Sequence, residues 1–279
     1  MPHHLVLQRP DIGRCDLSFL PPLPIRPSEN GNGSILRFEV PENFALPPET
    51  AAELDKLKID HAILPAIPFS DLGLIVSDMD STLITIECVD EIAAGVGLKE
   101  QVAAITEQSM RGELDFEQSL RKRVGLLAGL PESVLQEVYD QVLKLSPGAE
   151  YLLSECKKHG VKFMLVSGGF TFFTDRLQTR LGLDYAFANV LETADGRLTG
   201  RLNGRIIDAE TKARLLREYR EKLGLRPEQV IAVGDGANDI PMLREAGCGI
   251  AYHAKPRTRQ AADLCIGHGG LDSLRNWFL

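Results

Sequence analysis

The sequence predicts an α/β fold with a mostly parallel sheet, a helical insertion after the first strand of that sheet, and a small α+β segment ahead of it. From residue 72 onward, short apolar runs rich in β-formers alternate with stretches of helical periodicity. The helical stretches from about residue 88 to residue 146 follow one another without an intervening strand. Because strands that alternate with helices pair in parallel through right-handed crossovers, these patterns define the fold class.

The composition is that of a globular protein, and it argues against several classes of function. The chain of 279 residues is long enough for one sizeable α/β domain and a smaller one. A formal net charge of −8 argues against nucleic acid as the main partner. No apolar run approaches the length of a membrane span, and the first residues lack the basic and apolar regions of a signal peptide. The five cysteines show no C-x-x-C spacing, so we interpret them as reduced thiols of a cytoplasmic protein.

Residues 1–70 differ in pattern from the rest of the chain and are expected to form an accessory domain. The run 34–40 alternates as a strand does, 47–57 has the pattern of a short helix with proline in its first turn, and 61–65 suits a second strand. We found no group of catalytic side chains in this part of the sequence. We therefore expect a small α+β domain here, with any regulatory role left open, and the catalytic core over 71–279.

Two carboxylates, those of Asp78 and Asp80, stand where the first apolar run of the sheet, Leu72–Val76, passes into a loop. In open parallel sheets, ligands bind at the carboxyl ends of the strands. An Asp-x-Asp pair there could hold a hard cation such as Mg²⁺ through oxygen ligands, or one carboxylate could attack while the other moves the proton. A capped strand end is an equally open interpretation of the pair alone, because Asp, Ser and Thr are ordinary loop residues.

The helical block after this loop predicts a lid. Apolar residues recur at helical spacing over 116–127 and again over 134–142, and the segment Gly129–Pro131 separates the two helices. The block closes near residue 146. A helical insertion at this point is expected to lie over the carboxyl edge of the sheet, where a lid excludes water and completes the site when it closes.

A second polar segment follows the next strand. The apolar run 161–166 ends at Ser167-Gly168-Gly169, and a helix is predicted over 170–181. Ser167 offers a hydroxyl and Gly168 an unobstructed backbone N–H ahead of that helix, which suits a phosphate group. When this segment is taken alone, a plain strand-to-helix turn is the more ordinary interpretation.

A third polar segment, Gly-Asp-Gly-Ala-Asn-Asp, follows a later apolar run and carries Asp235, Asn238 and Asp239. Since the strands are expected to be parallel, all three polar segments should lie at one edge of the sheet. Carboxylates at close range repel one another strongly unless cations are present. A bound Mg²⁺ and the ammonium of Lys212, on a helix predicted over 208–223, would offset that repulsion, although a lone lysine on a helix is ordinarily solvated.

Taken in order, these motifs resemble those of the haloacid dehalogenase superfamily of phosphohydrolases. The signatures are Asp-x-Asp-Ser-Thr, Ser-Gly-Gly, a later lysine and Gly-Asp-Gly-x-Asn-Asp, and the resemblance spans residues 72 to about 268. Three further segments, Ile86–Glu91, Met110–Phe116 and Ser167–Thr171, resemble those of the superfamily members that hydrolyse phosphoserine.

The resemblance implies a Rossmann-like parallel core with a helical cap over residues 88–146. It implies hydrolysis of O-phospho-L-serine through an aspartyl-phosphate, the last step of serine biosynthesis. The expected cofactor is Mg²⁺ and the expected partner is a small-molecule substrate, with neither nucleic acid nor membrane involved. The expected assembly is a monomer or a homodimer.

The resemblance also assigns a role to each candidate residue. Asp78 is the nucleophile and Asp80 the general acid and base, while Asp78, Asp235 and the backbone carbonyl of Asp80 hold the metal. The substrate-binding residues are Glu87 for the ammonium, Arg123 for the carboxylate, and Ser167, Gly168, Lys212 and Asn238 around the phosphate. Asp239, Met110 and Phe116 support the site.

Some of these residues have ordinary interpretations outside the resemblance. Arg123 alone would be taken as surface charge beside Arg121 and Lys122, and Met110 and Phe116 as core packing. Two other functions also stay open. One is a related phosphatase or phosphotransferase for a different small phosphomonoester, and the other is a catalytically silent regulatory protein that binds an amino acid. The complete set of acidic residues and Lys212 argues against the silent protein.

Overall fold

The computed structural model describes residues 3–23, 28–29, 34–111 and 113–279. Within them, the part of the chain ahead of residue 70 forms a four-stranded antiparallel sheet in the order β2-β3-β1-β4. Its elements are β1 (His3–Gln8), β2 (Ser28–Glu29), β3 (Ile35–Val40), helix α1 (Pro48–Lys56) and β4 (Asp60–Pro65). The expected strands near 34–40 and 61–65 and the expected helix are present.

Strand β1, in the middle of this sheet, was not predicted. Its residues Leu5, Val6 and Leu7 are all fully buried, so the strand lacks the alternation of apolar and polar residues that is typical of a strand with one solvent-exposed face. Leu5 and Leu7 pack with α1, whereas Val6 packs into the main core of the molecule. The small sheet is therefore covered on both faces.

Two buried polar side chains join the small sheet to the end of the chain. The Asp60 carboxylate accepts hydrogen bonds from three consecutive backbone N–H groups, those of Gly267, His268 and Gly269, at 2.7–3.2 Å. The Arg37 guanidinium donates to the carbonyl of Phe278 at 2.8 Å and also to the carbonyl of Asn276. The accessory segment is thus packed firmly on the core, while a domain boundary near residue 70 stays a prediction.

The main sheet has seven strands in the order β11-β10-β9-β5-β6-β7-β8. They are β5 (Leu74–Ser77), β6 (Lys162–Phe170), β7 (Tyr185–Ala194), β8 (Arg197–Asn203), β9 (Val230–Gly234), β10 (Cys248–Tyr252) and β11 (Leu264–Ile266). Neighbouring strands are parallel except for the β7–β8 hairpin, whose turn places Asp195 and Gly196 at positive φ, as an Asp-Gly turn requires. The α/β prediction is confirmed, and the strands that carry or precede the three polar segments, β9, β5 and β6, are neighbours.

Ten further helices complete the described part of the chain. They are α2 (Cys88–Gly95), α3 (Lys99–Met110), α4 (Phe116–Gly125), α5 (Ser133–Gln141), α6 (Ala149–His159), α7 (Thr171–Leu181), α8 (Ala209–Lys222), α9 (Ile240–Glu245), α10 (Pro256–Ala261) and α11 (Asp272–Asn276). Helices α2–α5 occupy the segment in which the lid was expected. Helix α6 and the short α9–α11 were not predicted.

One flank of the lid is fixed to the sheet by backbone hydrogen bonds. The N–H of Gly129 donates to the carbonyl of Leu198, and the N–H of Leu198 donates to the carbonyl of Leu130. Beside them, the N–H of Glu132 donates to the carbonyl of Gly196. These bonds cover the edge of β8 and hold α4 against that strand.

Nowhere among the residues described is there a helix both long and apolar enough to cross a membrane.

Candidate active site

The two carboxylates after β5 point to different partners. Asp78 is buried, and its N–H donates to the carbonyl of Val233 on β9 at 3.0 Å, which ties the loop to the neighbouring strand. Asp80 is half-buried, and its Oδ1 accepts the N–H of Cys88, at the start of α2, at 3.2 Å. Between them and the lid, Ser81 takes a left-handed backbone conformation with φ of 55°. The loop therefore places Asp78 in the core and Asp80 at the base of the lid.

Lys212 links the first polar segment to the third. Its Nζ lies 2.5 Å from Asp78 Oδ1 and 2.8 Å from Asp239 Oδ1, and the side chain is only 1% exposed. Although burial alone disfavours the ammonium, the carboxylates of Asp239 and Asp78 raise the pKa of Lys212 above its usual value. The lysine is therefore a buried, permanently charged group at the centre of the site, and the interpretation of Lys212 as a solvated surface residue is wrong.

The acidic residues of the third segment reach the same point. Carboxylate oxygens of Asp78, Asp235 and Asp239 lie within 4.8 Å of one another. Asp239 is fully buried, and its Oδ2 accepts the N–H of Gly236 at 3.0 Å. A Cβ on Gly234 would lie 2.5 Å from Asp239 Cγ, so only glycine lets that carboxylate approach the end of β9. These carboxylates therefore lie together at one edge of the sheet, as the sequence predicted.

These carboxylates carry more negative charge than the neighbouring lysine offsets. Burial raises the pKa of Asp78 well above its usual range, and the charge of Asp239 adds to that effect, whereas the charge and the hydrogen bond of Lys212 oppose it. Burial, followed by the charges of Asp239 and Glu87, raises the pKa of Asp235 to about 6. A divalent cation with oxygen ligands fits such a cluster, because it would neutralise several buried carboxylates at once.

Asp80 differs from the cluster in its position and its surroundings. Burial and then the charge of nearby Glu87 raise the pKa of Asp80 to about 7, while hydrogen bonds from the Cys88 thiol and the Cys88 N–H oppose the shift. A carboxyl group with a pKa near neutrality can both give and take a proton at physiological pH. This property suits the general acid and base role that the sequence suggested for Asp80.

The second polar segment lies inside β6, which corrects the expectation that the strand ends before it. The pairing of β6 with β7 loses its regular register between Val166 and Phe170. Within this irregular stretch, the N–H of Gly169 donates to Ser167 Oγ at 2.8 Å. A Cβ on Gly169 would lie 3.0 Å from Asp80 Oδ2, so a side chain there would press on the catalytic loop. The segment is a strand irregularity of the kind often found next to active sites rather than a plain turn.

The lid contributes Phe116, at the start of α4. A Cβ on Gly168 would lie 2.9 Å from Phe116 Cζ, so the aromatic ring sits directly on the glycine backbone. Phe116 also packs against the main hydrophobic core, and the core-packing interpretation of this residue therefore holds in part. The side chain of Met110, the other apolar residue suggested for the lid, lies outside the described residues.

Arg123, on α4, and Glu87, directly before α2, lie close enough to interact electrostatically with each other and with Asp80. Arg123 is half-buried, and its Nε has no hydrogen-bond partner within the described parts of the chain, whereas Arg121 and Lys122 are exposed. Burial lowers the pKa of Arg123, and the carboxylates of Asp90, Glu87 and Asp80 oppose that shift. Glu87 is exposed and accepts a hydrogen bond from Ser81 Oγ at 2.7 Å. Arg123 is therefore not ordinary surface charge.

Two residues near the site were not found from the sequence. Lys255 lies close enough to Asp235 for its charge to lower the pKa of that carboxyl group, and its N–H donates to the Asp235 carbonyl at 3.3 Å. Asn189, buried on β7, hydrogen-bonds both Gly168 and Ile207. The signal for Asn189 was its presence in a strand, since asparagine is depleted there. Lys255 carried no comparable signal.

The fold and the site define the class: an α/β enzyme with a buried centre of aspartates and a lysine at the carboxyl edge of a parallel sheet, under a helical lid. The chain belongs to the haloacid dehalogenase-like hydrolase family, whose model matches residues 75–244. It is thus an enzyme, a hydrolase, of a family whose phosphatases generally depend on a metal.

Individual relatives agree with this family. A phosphoserine phosphatase of Polaromonas sp. is 56% identical over 215 residues, which cover 75% of this chain and 91% of the relative. A solved haloacid dehalogenase family hydrolase of Salmonella enterica serovar Typhi has a TM-score of 0.87 at 36% identity, and the match covers 98% of this chain and 97% of that one. A solved phosphoserine phosphatase with bound substrate has a TM-score of 0.70 at 41% identity, with 75% and 99% covered.

Proposed function

We propose that the protein hydrolyses O-phospho-L-serine to L-serine and inorganic phosphate, with Mg²⁺ as its cofactor. The observation that carries the proposal is the pair of opposite charges that the lid brings into electrostatic range of Asp80. Arg123 offers a half-buried guanidinium with an unpaired N–H, and Glu87 offers a carboxylate near the same space. Phosphoserine presents a carboxylate and an ammonium beyond its phosphate, which would pair with these two groups. The relatives named phosphoserine phosphatase support the same substrate.

Asp78 is the nucleophile in this proposal. One of its carboxylate oxygens attacks phosphorus, and the bond from phosphorus to the serine oxygen breaks, which leaves an aspartyl-phosphate. The hydrogen bond from Lys212 at 2.5 Å orients the carboxylate and favours its charged form. Water then attacks the aspartyl-phosphate, releases phosphate and restores the carboxylate.

Asp80 moves the protons of both steps. In the first step its carboxyl group gives a proton to the departing serine oxygen, which would otherwise leave as a strongly basic alkoxide. In the second step the resulting carboxylate takes a proton from the attacking water. The pKa of about 7 and the fixed hydrogen bond from the N–H of Cys88 support this double role.

The remaining phosphoryl oxygens would be held by donors from the second and third polar segments and from helix α8. Ser167 Oγ already accepts the N–H of Gly169, so its own O–H is left to donate to the phosphate. The N–H of Gly168, the ammonium of Lys212 and the side-chain amide of Asn238 would complete the set. Such preorganised donors stabilise the charge that develops on the phosphoryl oxygens during transfer.

The metal would be held by Asp78, Asp235 and the backbone carbonyl of Asp80. Asp239 belongs to the same cluster, but its two oxygens already accept hydrogen bonds from Lys212 and Gly236, so we assign it the role of holding the lysine. When bound, Mg²⁺ offsets the repulsion between an anionic carboxylate and an anionic phosphate.

The lid supplies the selectivity. Arg123 would form a forked hydrogen bond with the substrate carboxylate, and Glu87 would bind the ammonium. Phe116 would close the phosphate end by covering Gly168, and Met110 is proposed as a second apolar wall.

We also propose a cytoplasmic location and a monomeric or homodimeric state. All five cysteines are free thiols, which is typical of a reducing compartment.

A panel of phosphomonoesters tests this function. Phosphate release from phosphoserine, phosphothreonine and sugar phosphates would be measured with Mg²⁺ and with excess EDTA. We expect the highest kcat/KM for phosphoserine and no release in EDTA. A higher kcat/KM for a sugar phosphate would contradict the substrate, and no release from any ester would indicate a silent binding protein.

A further inference from the structure

Asn189 is a buried polar side chain that bridges two segments of the proposed phosphate site. It lies on β7 and is 1% exposed. Its Nδ2 donates to the carbonyl of Gly168 at 2.8 Å, and its Oδ1 accepts the N–H of Ile207 at 2.8 Å. Both hydrogen-bonding ends of the amide are therefore engaged, each with the backbone of a different segment.

The first of these bonds acts on the hydroxyl of Ser167 through a single peptide plane. The carbonyl of Gly168 and the N–H of Gly169 belong to the same planar peptide group, so fixing one fixes the direction of the other. That N–H donates to Ser167 Oγ at 2.8 Å. Because the pairing of β6 with β7 is irregular at this point, the regular ladder does not set the orientation of this peptide. Asn189 supplies the missing constraint.

The second bond acts on the helix that carries the lysine. Ile207 directly precedes Asp208, whose side chain accepts the N–H of Thr211 and begins α8. Lys212 follows within the first turn of that helix. The Oδ1 of Asn189 thus holds the entry to α8 at a fixed distance from the irregular stretch of β6.

We infer that Asn189 is a positioning residue that sets the Ser167 hydroxyl and the Lys212 ammonium at the spacing a phosphoryl group requires. The inference rests on the proposed function, because it assigns both groups to the phosphate. Asn189 itself touches neither the phosphate nor the reacting atoms. Substitution of Asn189 should therefore change the affinity for phosphate and kcat, and leave the selectivity for the amino-acid part of the substrate unchanged.

The test uses the full-length protein with Mg²⁺ and three substitutions. Asn189→Asp keeps an oxygen to accept the N–H of Ile207 but replaces the N–H donor to the Gly168 carbonyl. In Asn189→Ser the side chain is too short to reach both backbone groups. Asn189→Leu removes both hydrogen bonds while the side chain keeps a similar size. The matched control is Asn203→Asp, which makes the same chemical change at an exposed position at the end of β8. Affinity for inorganic phosphate would be measured by calorimetry, and kcat and KM with phosphoserine.

We expect a loss of roughly ten- to a hundredfold in kcat for the folded Asn189 variants, in line with the effect of small misplacements of a catalytic array. The dissociation constant of inorganic phosphate should rise by about tenfold, since a lost hydrogen-bond alignment of this kind is worth roughly a factor of ten. Asn203→Asp should match the wild type in both. A folded Asn189→Asp with wild-type phosphate affinity and wild-type kcat would overturn the inference.

The outcomes separate positioning from simple stability. A merely structural role would lower the melting temperature or the active fraction while the folded protein kept its phosphate affinity, and that result would also overturn the inference. Failure of all three variants to fold would assign Asn189 to the fold instead. Wild-type protein that binds phosphate but does not hydrolyse phosphoserine would refute the proposed function, and the phosphate-affinity arm would still decide the role of Asn189.

Discussion

Replacing Arg123 by alanine should weaken the hydrolysis of phosphoserine much more than that of an ester without an amino acid. In the structure, Arg123 is half-buried and its Nε lacks a partner among the residues described, so the guanidinium keeps an unused donor within electrostatic range of Glu87 and Asp80. A hydrogen bond that involves charged groups is worth about 1.5–3 kcal/mol. Since 1.4 kcal/mol corresponds to a factor of ten, kcat/KM for phosphoserine should fall by roughly ten- to a hundredfold.

The assay compares two substrates in the same variant. Phosphoserine carries the carboxylate that Arg123 is proposed to bind, whereas p-nitrophenyl phosphate has only the phosphate in common with it. We expect kcat/KM for p-nitrophenyl phosphate to change by less than about threefold, the lower end of what a neutral hydrogen bond contributes. Part of the loss with phosphoserine should appear in kcat, because binding energy from the remote end of a substrate helps to align the reacting atoms.

The matched control for Arg123 lies two residues earlier on the same helix. Arg121 is exposed and pairs with Glu117 at 2.7 Å, so Arg121→Ala makes the same change outside the site. Exposed pairs of this kind contribute about 0–1 kcal/mol, and catalysis should not change. Equal losses on both substrates in Arg123→Ala, or a loss in Arg121→Ala as large as that in Arg123→Ala, would refute the assignment of Arg123 to the substrate carboxylate.

Three further predictions concern protons, the metal and the accessory sheet. With ethyl phosphate, an alkyl ester that needs a proton on its leaving oxygen but lacks the amino-acid groups, kcat/KM should fall as pH rises through about 7, because burial and the charge of Glu87 raise the pKa of Asp80 and the general acid must be protonated. Glu87→Gln should move this fall to lower pH, and an unchanged pH profile would contradict the coupling between Glu87 and Asp80. Excess EDTA should abolish turnover, and added Mg²⁺ should restore it better than Ca²⁺, because Ca²⁺ prefers more ligands at longer distances. Full activity in excess EDTA would contradict the metal site. Asp60→Asn should lower the free energy of unfolding by about 1–3 kcal/mol in a denaturant titration, because three backbone N–H groups lose their carboxylate acceptor, while kcat stays unchanged. The control is Asp71→Asn, the same change at an exposed position. Equal stability of the two variants would show that the Asp60 contact does not hold the small sheet on the core.

The fold was predictable wherever the apolar residues of a strand or helix recur with the spacing typical of that element. The alternation of strands and helices after residue 72, the Asp-Gly hairpin and the lid helices α4 and α5 were all found in this way. Strand β1 was not, because it is buried on both faces and its short apolar run has no alternation to detect. The short helices α9–α11 escaped for a different reason: five or six residues make too few turns for a helical period to stand out.

The candidate site was predictable to the extent that parallel topology alone brings its residues together. Asp78, Asp235 and Asp239 were expected to meet because their segments follow parallel strands, and the structure places them within 4.8 Å. What the sequence could not distinguish was Arg123 from Arg121, since burial depends on how α4 packs on the hairpin. Asn189 was missed because an asparagine in a strand is a weak signal by itself, and its partners, two backbone groups far apart in sequence, add no side-chain signal.

The central claim is that Asp78 becomes covalently phosphorylated during turnover. The most direct measurement is rapid acid quenching of the enzyme during turnover of phosphoserine that carries a radioactive phosphate, followed by peptide mapping of the retained label. We expect label on the peptide that contains Asp78 in the wild type, with loss of that label on treatment with hydroxylamine, as for an acyl phosphate. Asp78→Asn should retain no label and show no turnover. Phosphate release from the wild type without any covalent label under conditions of full turnover, or substantial turnover by Asp78→Asn, would contradict the mechanism.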